Sequence, residues 1–290
     1  MGGAPDSGNT AEALLALAKI APLLPGSDRK KAYAEAKRGV VWLLRLRNLD
    51  GGWPTFCRGW GKLPFDRSDV ARTAGAMRAL LAWRGMPRAD GCPALGNDLK
   101  KKIDWALLFG HHYLRRRQRP DGSWLPLWFG NENLPNEENP SFGTARALLG
   151  LYDLRAFFAD KDAHPQVEEE DAMILSGVNW VLCVQNNDGG WGRASVLNIS
   201  DASSVEETAV VVEALLRLPK SLSPQVDAQK YADATRRGIA FLEKWVESGE
   251  FSRAALIGHF FDQWWYSEEL YPMIFALSAL TAGETPDSEP

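Results

Sequence analysis

The sequence predicts an all-α protein whose helices form an α/α toroid. Two observations support this prediction. First, two kinds of helical segment alternate along the 290 residues, and each kind recurs with its own sequence pattern. Second, one kind is apolar nearly all round, which suits burial on both faces, whereas the other carries charged residues between its apolar positions, which suits one face in water. This contrast indicates an inner ring and an outer ring of helices.

The outer segments close on a tryptophan. They are GVVWLLRLRNLDGGW at 39–53, GHHYLRRRQRPDGSW at 110–124 and GVNWVLCVQNNDGGW at 177–191, with a weaker copy that begins at Gly238. Each helix is predicted to end in a tight Asp-Gly turn, so we interpret the repeat aspartates as turn residues rather than catalytic acids. The tryptophan then packs on the neighbouring repeat, and the glutamine satisfies open backbone groups at a helix end. The residues with this predicted structural role are Gln118, Gln185, Trp53, Trp124 and Trp191.

The inner segments begin with Thr-Ala. They occur at 9–17, 72–80, 143–151 and 207–215, and the last helix, at 268–281, resembles a fifth copy without the Thr-Ala start. With one helix of each kind in every unit, the period is about 65 to 70 residues, which is typical of an αα-repeat. Five inner and four outer segments predict an incomplete barrel of about nine to ten main helices.

Composition limits the classes of function. With 45% hydrophobic residues, 1–290 is expected to form a single domain, with disordered tails at 1–8 and 282–290. A formal charge of −4, without a long run of Lys or Arg, argues against nucleic-acid binding. The three cysteines are far apart and show no metal-ligand spacing, so we expect no metal site and a reducing, cytoplasmic setting. Because no apolar stretch reaches the roughly 18 residues that span a bilayer, any membrane contact is expected to be peripheral.

Several motifs together resemble the C-terminal half of squalene-hopene cyclases and related triterpene cyclases. They are the Gln-x-x-Asp-Gly-Gly-Trp repeats, LWFGNENLPNEENPSFGTARALLGL, SSVEETAVVVEALL and WWYSEELYPMIFALSAL, and the resemblance runs from about residue 5 to 281. It implies a toroid of the terpenoid cyclase type and a polyisoprenoid ligand such as squalene. It also implies cofactor-free chemistry, in which a protonated carboxylic acid donates to an alkene and aromatic faces stabilise the carbocations.

The acid motif of that family is degenerate here. The family pattern Asp-x-Asp-Asp-Thr-Ala aligns with DSGNTA, so Asp6 is kept, Gly8 stands at the proton donor and Asn9 replaces the last aspartate. Gly75 stands where the family commonly has the histidine that pairs with its acid, and Ala71 where it often has an aspartate. A glycine has no proton to donate. The resemblance therefore implies that cyclisation cannot start at this position.

Two other carboxylates are weak surrogate candidates. Glu206 and Glu207 precede Thr208 at the offset of the missing acid pair, and two adjacent carboxylates can hold one raised pKa. Carboxylates at a helix N-terminus are also favoured by the helix dipole and by capping. We favour this structural interpretation.

Aromatic residues crowd the loops that follow the repeat tryptophans. The resemblance places cation-stabilising rings in the C-terminal segment, and the other aromatic loops are expected to gather at the same mouth. An equally weighted alternative is that these rings only pack in a large helical core. Together they predict an apolar cavity lined by Trp60, Phe65, Trp128, Phe129, Phe261, Trp264, Trp265 and Tyr271.

Three functions are open at this point. The first is a cyclase-family protein that acts on a polyisoprenoid, either with a partner that supplies the acid or after self-association that completes the barrel. The second is a non-catalytic remnant that binds an isoprenoid or hopanoid, or serves as a scaffold. The third, a prenyltransferase subunit or a glycosidase, is disfavoured because the zinc-ligand pattern is missing and the mouth loops are too apolar for a pair of facing carboxylates.

Overall fold

The computed structural model describes residues 6–59, 64–89, 91–92, 94–131, 134–159, 167–192, 203–249, 257–259 and 264–282. These residues contain nine α-helices, so the protein is all-α as predicted. The helices are α1 (Ser7–Ile20), α2 (Gly26–Leu46), α3 (Val70–Gly85), α4 (Asn97–Arg117), α5 (Pro140–Ala159), α6 (Val167–Cys183), α7 (Val205–Leu216), α8 (Ala228–Ser248) and α9 (Leu270–Ala282).

The odd-numbered helices contain the Thr-Ala segments and the last segment, and the even-numbered helices contain the charged segments. Three antiparallel pairs of short strands accompany them: β1 with β2, β3 with β4, and β5 with β6. The strands are β1 (Trp53–Pro54), β2 (Ser68–Asp69), β3 (Trp191–Gly192), β4 (Ser203–Ser204), β5 (Ile257–His259) and β6 (Trp264–Tyr266).

Where the sequence led us to expect one domain, the chain divides into two compact units. Unit 1 comprises residues 1–117 and 153–164, and unit 2 comprises 118–152 and 165–290. In a repeat protein each unit contacts its sequence neighbours, so compact subsets of repeats are a normal consequence of the architecture. Ser7 and Gly8, which the sequence analysis assigned to the N-terminal tail, lie in α1.

Unit 1 is built on α3, which packs on α1, α2 and α4. Trp83 of α3 is buried between these helices and donates its indole N–H to the Leu14 carbonyl of α1 at 2.8 Å. Tyr33 of α2 packs edge-on against the same ring, with the centroids 5.3 Å apart. Helix α3 is therefore held on several sides by apolar contacts and by a hydrogen bond to α1.

Unit 2 is built on α7, which packs on α8 and α9. Ten of the twelve residues of α7 are buried, including the adjacent carboxylates Glu206 and Glu207. Such a helix has almost no wet face, and its stability depends on packing rather than on intrinsic propensity. By contrast, α8 buries only Ala234, Thr235, Gly238 and Leu242, as expected of a helix with one face in water.

The recurring Thr of the inner helices has a role that the sequence did not reveal. The backbone N–H of each repeat tryptophan donates to the hydroxyl of the next Thr: Trp53 to Thr73 at 3.0 Å, and Trp124 to Thr144 and Trp191 to Thr208 at 2.9 Å each. All six residues are fully buried. The bond satisfies a backbone donor that would otherwise be buried without a partner.

The repeat glutamines and aspartates bind backbone groups. Gln185 donates from Nε2 to the carbonyls of Gly189 and Ala234, both at 2.8 Å, and Gln118 donates to those of Gly122 and Met173, both at 3.0 Å. Each glutamine thereby connects its own turn to the following outer helix. Asp50, Asp121 and Asp188 each accept the backbone N–H two residues ahead, at 3.0 to 3.1 Å, beside a glycine with a φ between 94° and 97°.

From the second outer repeat onward, the glycine that opens the repeat lies against the preceding tryptophan ring. A Cβ atom at Gly177 would lie 2.8 Å from the Trp124 ring, and one at Gly238 would lie 2.8 Å from the Trp191 ring. Glycine is therefore required at these positions, because the helix backbone lies too close to the ring to leave room for a side chain. None of the helices in the described ranges is both long enough and apolar enough to cross a membrane.

Candidate functional site

The degenerate acid motif forms the beginning of α1. The Asp6 carboxylate accepts the backbone N–H of Asn9 at 2.7 Å and also contacts the Asn9 side-chain amide, so it caps the helix. Ser7 is buried, and its backbone N–H donates to the Phe56 carbonyl at 2.9 Å. Asp6, the remaining acidic residue of the motif, thus serves as a helix cap.

The position of the family's proton donor is occupied from the opposite helix. Gly8 is buried on α1, and a side chain added there would run into the guanidinium of Arg72, which lies on α3. The Arg72 Cζ atom is 2.8 Å from where the Cβ of residue 8 would be. A permanent cation therefore fills the volume in which a carboxyl group would have to stand.

The position of the missing histidine is empty by comparison. Among the described residues, a Cβ at Gly75 of α3 would touch only the Cβ of Ala11 on α1, at 4.0 Å. Since α1 packs on α3, the backbone arrangement that would bring residues 8 and 75 to one interface is present without the side chains. No pattern in the sequence indicated that Arg72, one residue before Thr73, would fill this site.

The surrogate carboxylates lie in the first turn of α7. Ser204 caps this helix by accepting the Glu207 backbone N–H at 3.1 Å. Glu207 is 4% exposed, and Glu206 is 1% exposed. Both carboxylates are therefore buried in the first turn of α7.

Two asparagines bind the carboxylate of Glu207. Asn131 and Asn139 both donate their side-chain amides to Oε1, at 2.9 Å and 2.8 Å. Among the described residues, Oε2 has no hydrogen-bond partner. The sequence analysis did not single out either asparagine, although Asn139 precedes a proline at the start of a Thr-Ala helix, which is a usual helix-start signal.

Burial raises the pKa of Glu207 to about 7, and the like charge of Glu206 contributes in the same direction. The Glu207 backbone N–H and the hydrogen bonds from Asn131 and Asn139 act the opposite way, because they stabilise the carboxylate. The balance leaves a carboxyl group that holds its proton into the neutral range. Within the described residues, no group of three or more His, Cys, Asp or Glu side chains could hold a metal ion.

Four rings of unit 2, which we call the aromatic cluster, lie at the starts of α5 and α9. They are Phe129, Phe142, Tyr271 and Phe275. Phe129 stacks on Phe142 with a centroid distance of 4.1 Å, and Tyr271 stacks on Phe275 at 5.3 Å. The same loop carries Phe129 and Asn131, so the cluster and the Glu207 amides are positioned by one segment of chain. Phe142 and Phe275 were not predicted, although Phe275 lies one helical turn after Tyr271.

A protein cation already contacts this cluster. The Arg146 guanidinium of α5 lies 5.2 Å from the Phe142 ring centroid and 5.1 Å from that of Phe275, which is within cation–π range. Two rings of the aromatic cluster therefore already lie beside an arginine of the same chain.

The other predicted cavity residues are distributed as follows. Trp128 is buried beside Tyr266 in unit 2, Trp265 is half-buried, and Phe65 is buried against Phe56 in unit 1. Trp60 and Phe261 lie outside the described residues, as does the side chain of Trp264. The structure thus groups Trp128, Phe129 and Tyr271 within unit 2 and leaves Phe65 in unit 1. A cavity of about 280 Å³ in unit 1, between Tyr33, Trp83 and Met86, is lined by none of the predicted residues.

Comparison with known proteins decides the family. The sequence-family model of the squalene-hopene cyclase C-terminal domain matches residues 3–285. This chain belongs to that family. The family is an α/α toroid, and its members bind polyisoprenoids such as squalene.

Individual relatives of the squalene-hopene cyclase family are moderately similar. An enfumafungin synthase of Hormonema carpetanum is 30% identical over 73% of this chain and 16% of its own length. A drimenyl diphosphate synthase of Streptomyces showdoensis is 32% identical over 67% of this chain and 28% of its own length. The chain therefore spans less than a third of either relative.

Among solved structures, a family 88 glycosyl hydrolase of Bacteroides vulgatus aligns with a TM-score of 0.55 and 13% sequence identity, over 94% of this chain and 72% of its own. At that identity, the similarity concerns the fold alone.

Proposed function

We propose that this protein binds a polyisoprenoid hydrocarbon such as squalene and that, acting alone, it does not start a cyclisation at the position of the family acid. The observation that carries the proposal is the geometry at Gly8. The donor position has no side chain, and the guanidinium of Arg72 occupies the volume beside it. An arginine is permanently charged and cannot donate a proton to an alkene at neutral pH.

Membership of the squalene-hopene cyclase family supports the binding half of this proposal. In the aromatic cluster, Phe142 and Phe275 lie within cation–π range of Arg146. Trp128 and Tyr266 form a second aromatic contact in the same unit. Large apolar rings are the residues that usually line sites for apolar ligands. A protein partner that brings an acid, and a cytoplasmic location with peripheral membrane contact, stay part of the proposal.

The direct experiment incubates the purified protein with squalene in mild detergent. Binding is measured by quenching of tryptophan fluorescence, and the extracted lipid is analysed by mass spectrometry. We expect saturable binding and recovery of unchanged squalene. A cyclic product formed by the chain alone would contradict the inactive-donor half of the proposal, and the lack of saturable binding would contradict the other half.

A further inference from the structure

The cavity of about 280 Å³ in unit 1 has a largely apolar and buried floor. Tyr33 of α2, Trp83 of α3 and Met86, directly after α3, form this floor, and Cys92 completes it from the following loop. Arg72 and Trp83 lie near opposite ends of α3, so at about 1.5 Å per residue the cavity is roughly 16 Å along this helix from the degenerate acid motif. It is therefore a separate feature of the molecule.

One face of α2 brings two lysines to the mouth of this cavity. Four residues of α2 line it, at the spacing of a single helix face: Lys30, Tyr33, Ala34 and Lys37. Lys30, Ala34 and Lys37 are exposed, whereas Tyr33 is buried. The two ammonium groups thus stand at the mouth, and the aromatic ring lies below them.

The loop opposite α2 leaves room for Lys30. This loop turns back on itself, because Ala89 and Cys92 exchange backbone hydrogen bonds at 3.0 Å and 2.8 Å, and Gly91 in the turn has a φ of 68°. A Cβ at Gly91 would overlap Cε of Lys30 and would lie 2.9 Å from its Nζ. The lysine side chain therefore crosses the loop where a side chain is missing, and this keeps its ammonium group at the cavity.

The two ammonium groups have no counterion among the described residues. Neither Lys30 nor Lys37 forms an ion pair or a hydrogen bond within those ranges. Glu35, the acidic residue between them in sequence, is paired with Arg38 instead. A lysine ammonium has three donors and no acceptor, so both groups at the mouth can bind an anion.

The chemistry of the cavity selects a class of ligand. An apolar floor gains free energy when it covers the apolar part of a ligand, whereas two ammonium groups at the mouth attract a negatively charged head group. Ligand sites commonly have volumes of about 300 to 1,000 Å³, so a cavity of about 280 Å³ fits a small ligand rather than a chain as long as squalene.

We propose that this cavity binds a small amphiphilic anion, whose apolar body packs on Trp83 and Met86 and whose carboxylate or phosphate head group lies between Lys30 and Lys37. The inference goes beyond the proposed function and does not depend on it. None of these four residues belongs to the aromatic cluster or to the degenerate acid motif.

The experiment titrates the protein with four probes of similar chain length, which are octanoate, octyl phosphate, octanol and octylammonium. Affinities are measured by isothermal titration calorimetry in detergent-free buffer, below the concentration at which the probes form micelles. We expect octanol to bind about two- to tenfold more weakly than the better of the two anions, because ion pairs at a partly exposed mouth contribute modestly. Octylammonium is expected to bind more weakly still. The anion with the higher affinity identifies the head group.

The methionines locate the bound probe. Met86 lines the cavity, whereas Met77 is buried elsewhere on α3 and Met173 lies in unit 2. With 13C-labelled methionine methyl groups, we expect the NMR signal of Met86 to shift on titration with the anion. The signals of Met77 and Met173 should stay in place.

Two kinds of variant separate charge from space. The double variant Lys30→Gln with Lys37→Gln removes both cations and should bind the anion and octanol with similar affinity. Lys31→Gln is the matched control, because Lys31 is exposed on the same helix but does not line the cavity. Ala34→Trp fills the mouth from an exposed position and should weaken the binding of all four probes. Circular dichroism of each variant shows that the fold is retained.

Equal affinity of the wild type for octanol and for both anions would overturn the inference, and so would the lack of binding of any probe. An anion that shifts Met173 and not Met86, or that binds Ala34→Trp as tightly as the wild type, would place the site elsewhere and also overturn it. Squalene binding is measured separately. A failure of the proposed function is therefore distinguishable from a failure of this inference.

Discussion

At the scale of single residues, the decisive pair is Gly8 and Arg72. Loss of an acidic side chain alone would leave a site that one substitution could restore. Here the guanidinium stands beside the vacated position, so a restored carboxyl would meet a cation at close range. An adjacent opposite charge lowers the pKa of a carboxyl, typically by about 1 to 3 units, and keeps it ionised.

Gly8→Asp should therefore fail to recreate a proton donor. We expect the carboxyl group introduced by this substitution, followed by NMR titration, to have a pKa below the ordinary value for aspartate. The double variant Gly8→Asp with Arg72→Ala removes the cation and is expected to raise that pKa. An unshifted pKa in the single variant would show that Arg72 does not control the site.

The titration of Glu207 also predicts how stability depends on pH. Its pKa is about 7 in the folded protein against an ordinary value of 4.5, so the native state binds the extra proton between these values. Stability from this group is fully present below pH 4.5 and is lost as the pH rises through 7. The loss should amount to roughly 3 kcal/mol, at about 1.36 kcal/mol per pKa unit.

Glu207→Gln should remove this dependence. Free energies of unfolding are measured by urea denaturation. We expect the value for Glu207→Gln, relative to the wild type, to rise between pH 4.5 and 7 and to keep that difference at higher pH. The exposed Glu168→Gln serves as the control for a carboxylate in a first helical turn. Parallel curves for wild type and Glu207→Gln would contradict the raised pKa.

At the scale of elements, the alternation of Thr-Ala helices and tryptophan-closed helices determines the architecture. The nine described helices appear where the two repeating patterns place them, because buried and half-wet helices differ in composition over many residues. The sequence did not show why a Thr recurs at a nearly constant distance after each repeat tryptophan. Only the structure reveals that the Thr hydroxyl accepts the tryptophan N–H, since this contact joins residues about 20 positions apart.

This bond can be tested by substitution. Thr208→Val preserves shape but leaves the buried Trp191 N–H without its acceptor, so we expect a loss of about 1 to 3 kcal/mol in the free energy of unfolding. The control is Thr235→Val on α8, where the hydroxyl donates to the Tyr231 carbonyl of its own helix. Denaturation curves in which the two variants lose the same stability would contradict a special role for Thr208.

At the scale of the whole molecule, the sequence predicted the family and the fold class, because these depend on motifs of many residues. That the degenerate acid motif cannot start a cyclisation stays a prediction. It did not predict what occupies the degenerate site. Arg72 lies on a different helix from Gly8, and the asparagines that bind Glu207 are about 70 residues away from it. Individual side chains that meet across such distances leave no local pattern.

Association also belongs to this scale and stays a prediction. Leu270, Ile274 and Leu277 are each more than half exposed on one face of α9. Apolar side chains at this spacing form a continuous stripe, which is typical of a helix that meets another surface. The molar mass in solution, measured by light scattering, distinguishes a monomer from an assembly.

The central claim is that this protein holds a polyisoprenoid without transferring a proton to it. It is tested most directly by incubation with squalene in deuterated water, because any acid that initiates cyclisation would exchange with solvent and deliver deuterium to a carbon atom. We predict that bound squalene is recovered without deuterium. Deuterium in the recovered squalene, or in any cyclic product of it, would contradict the account.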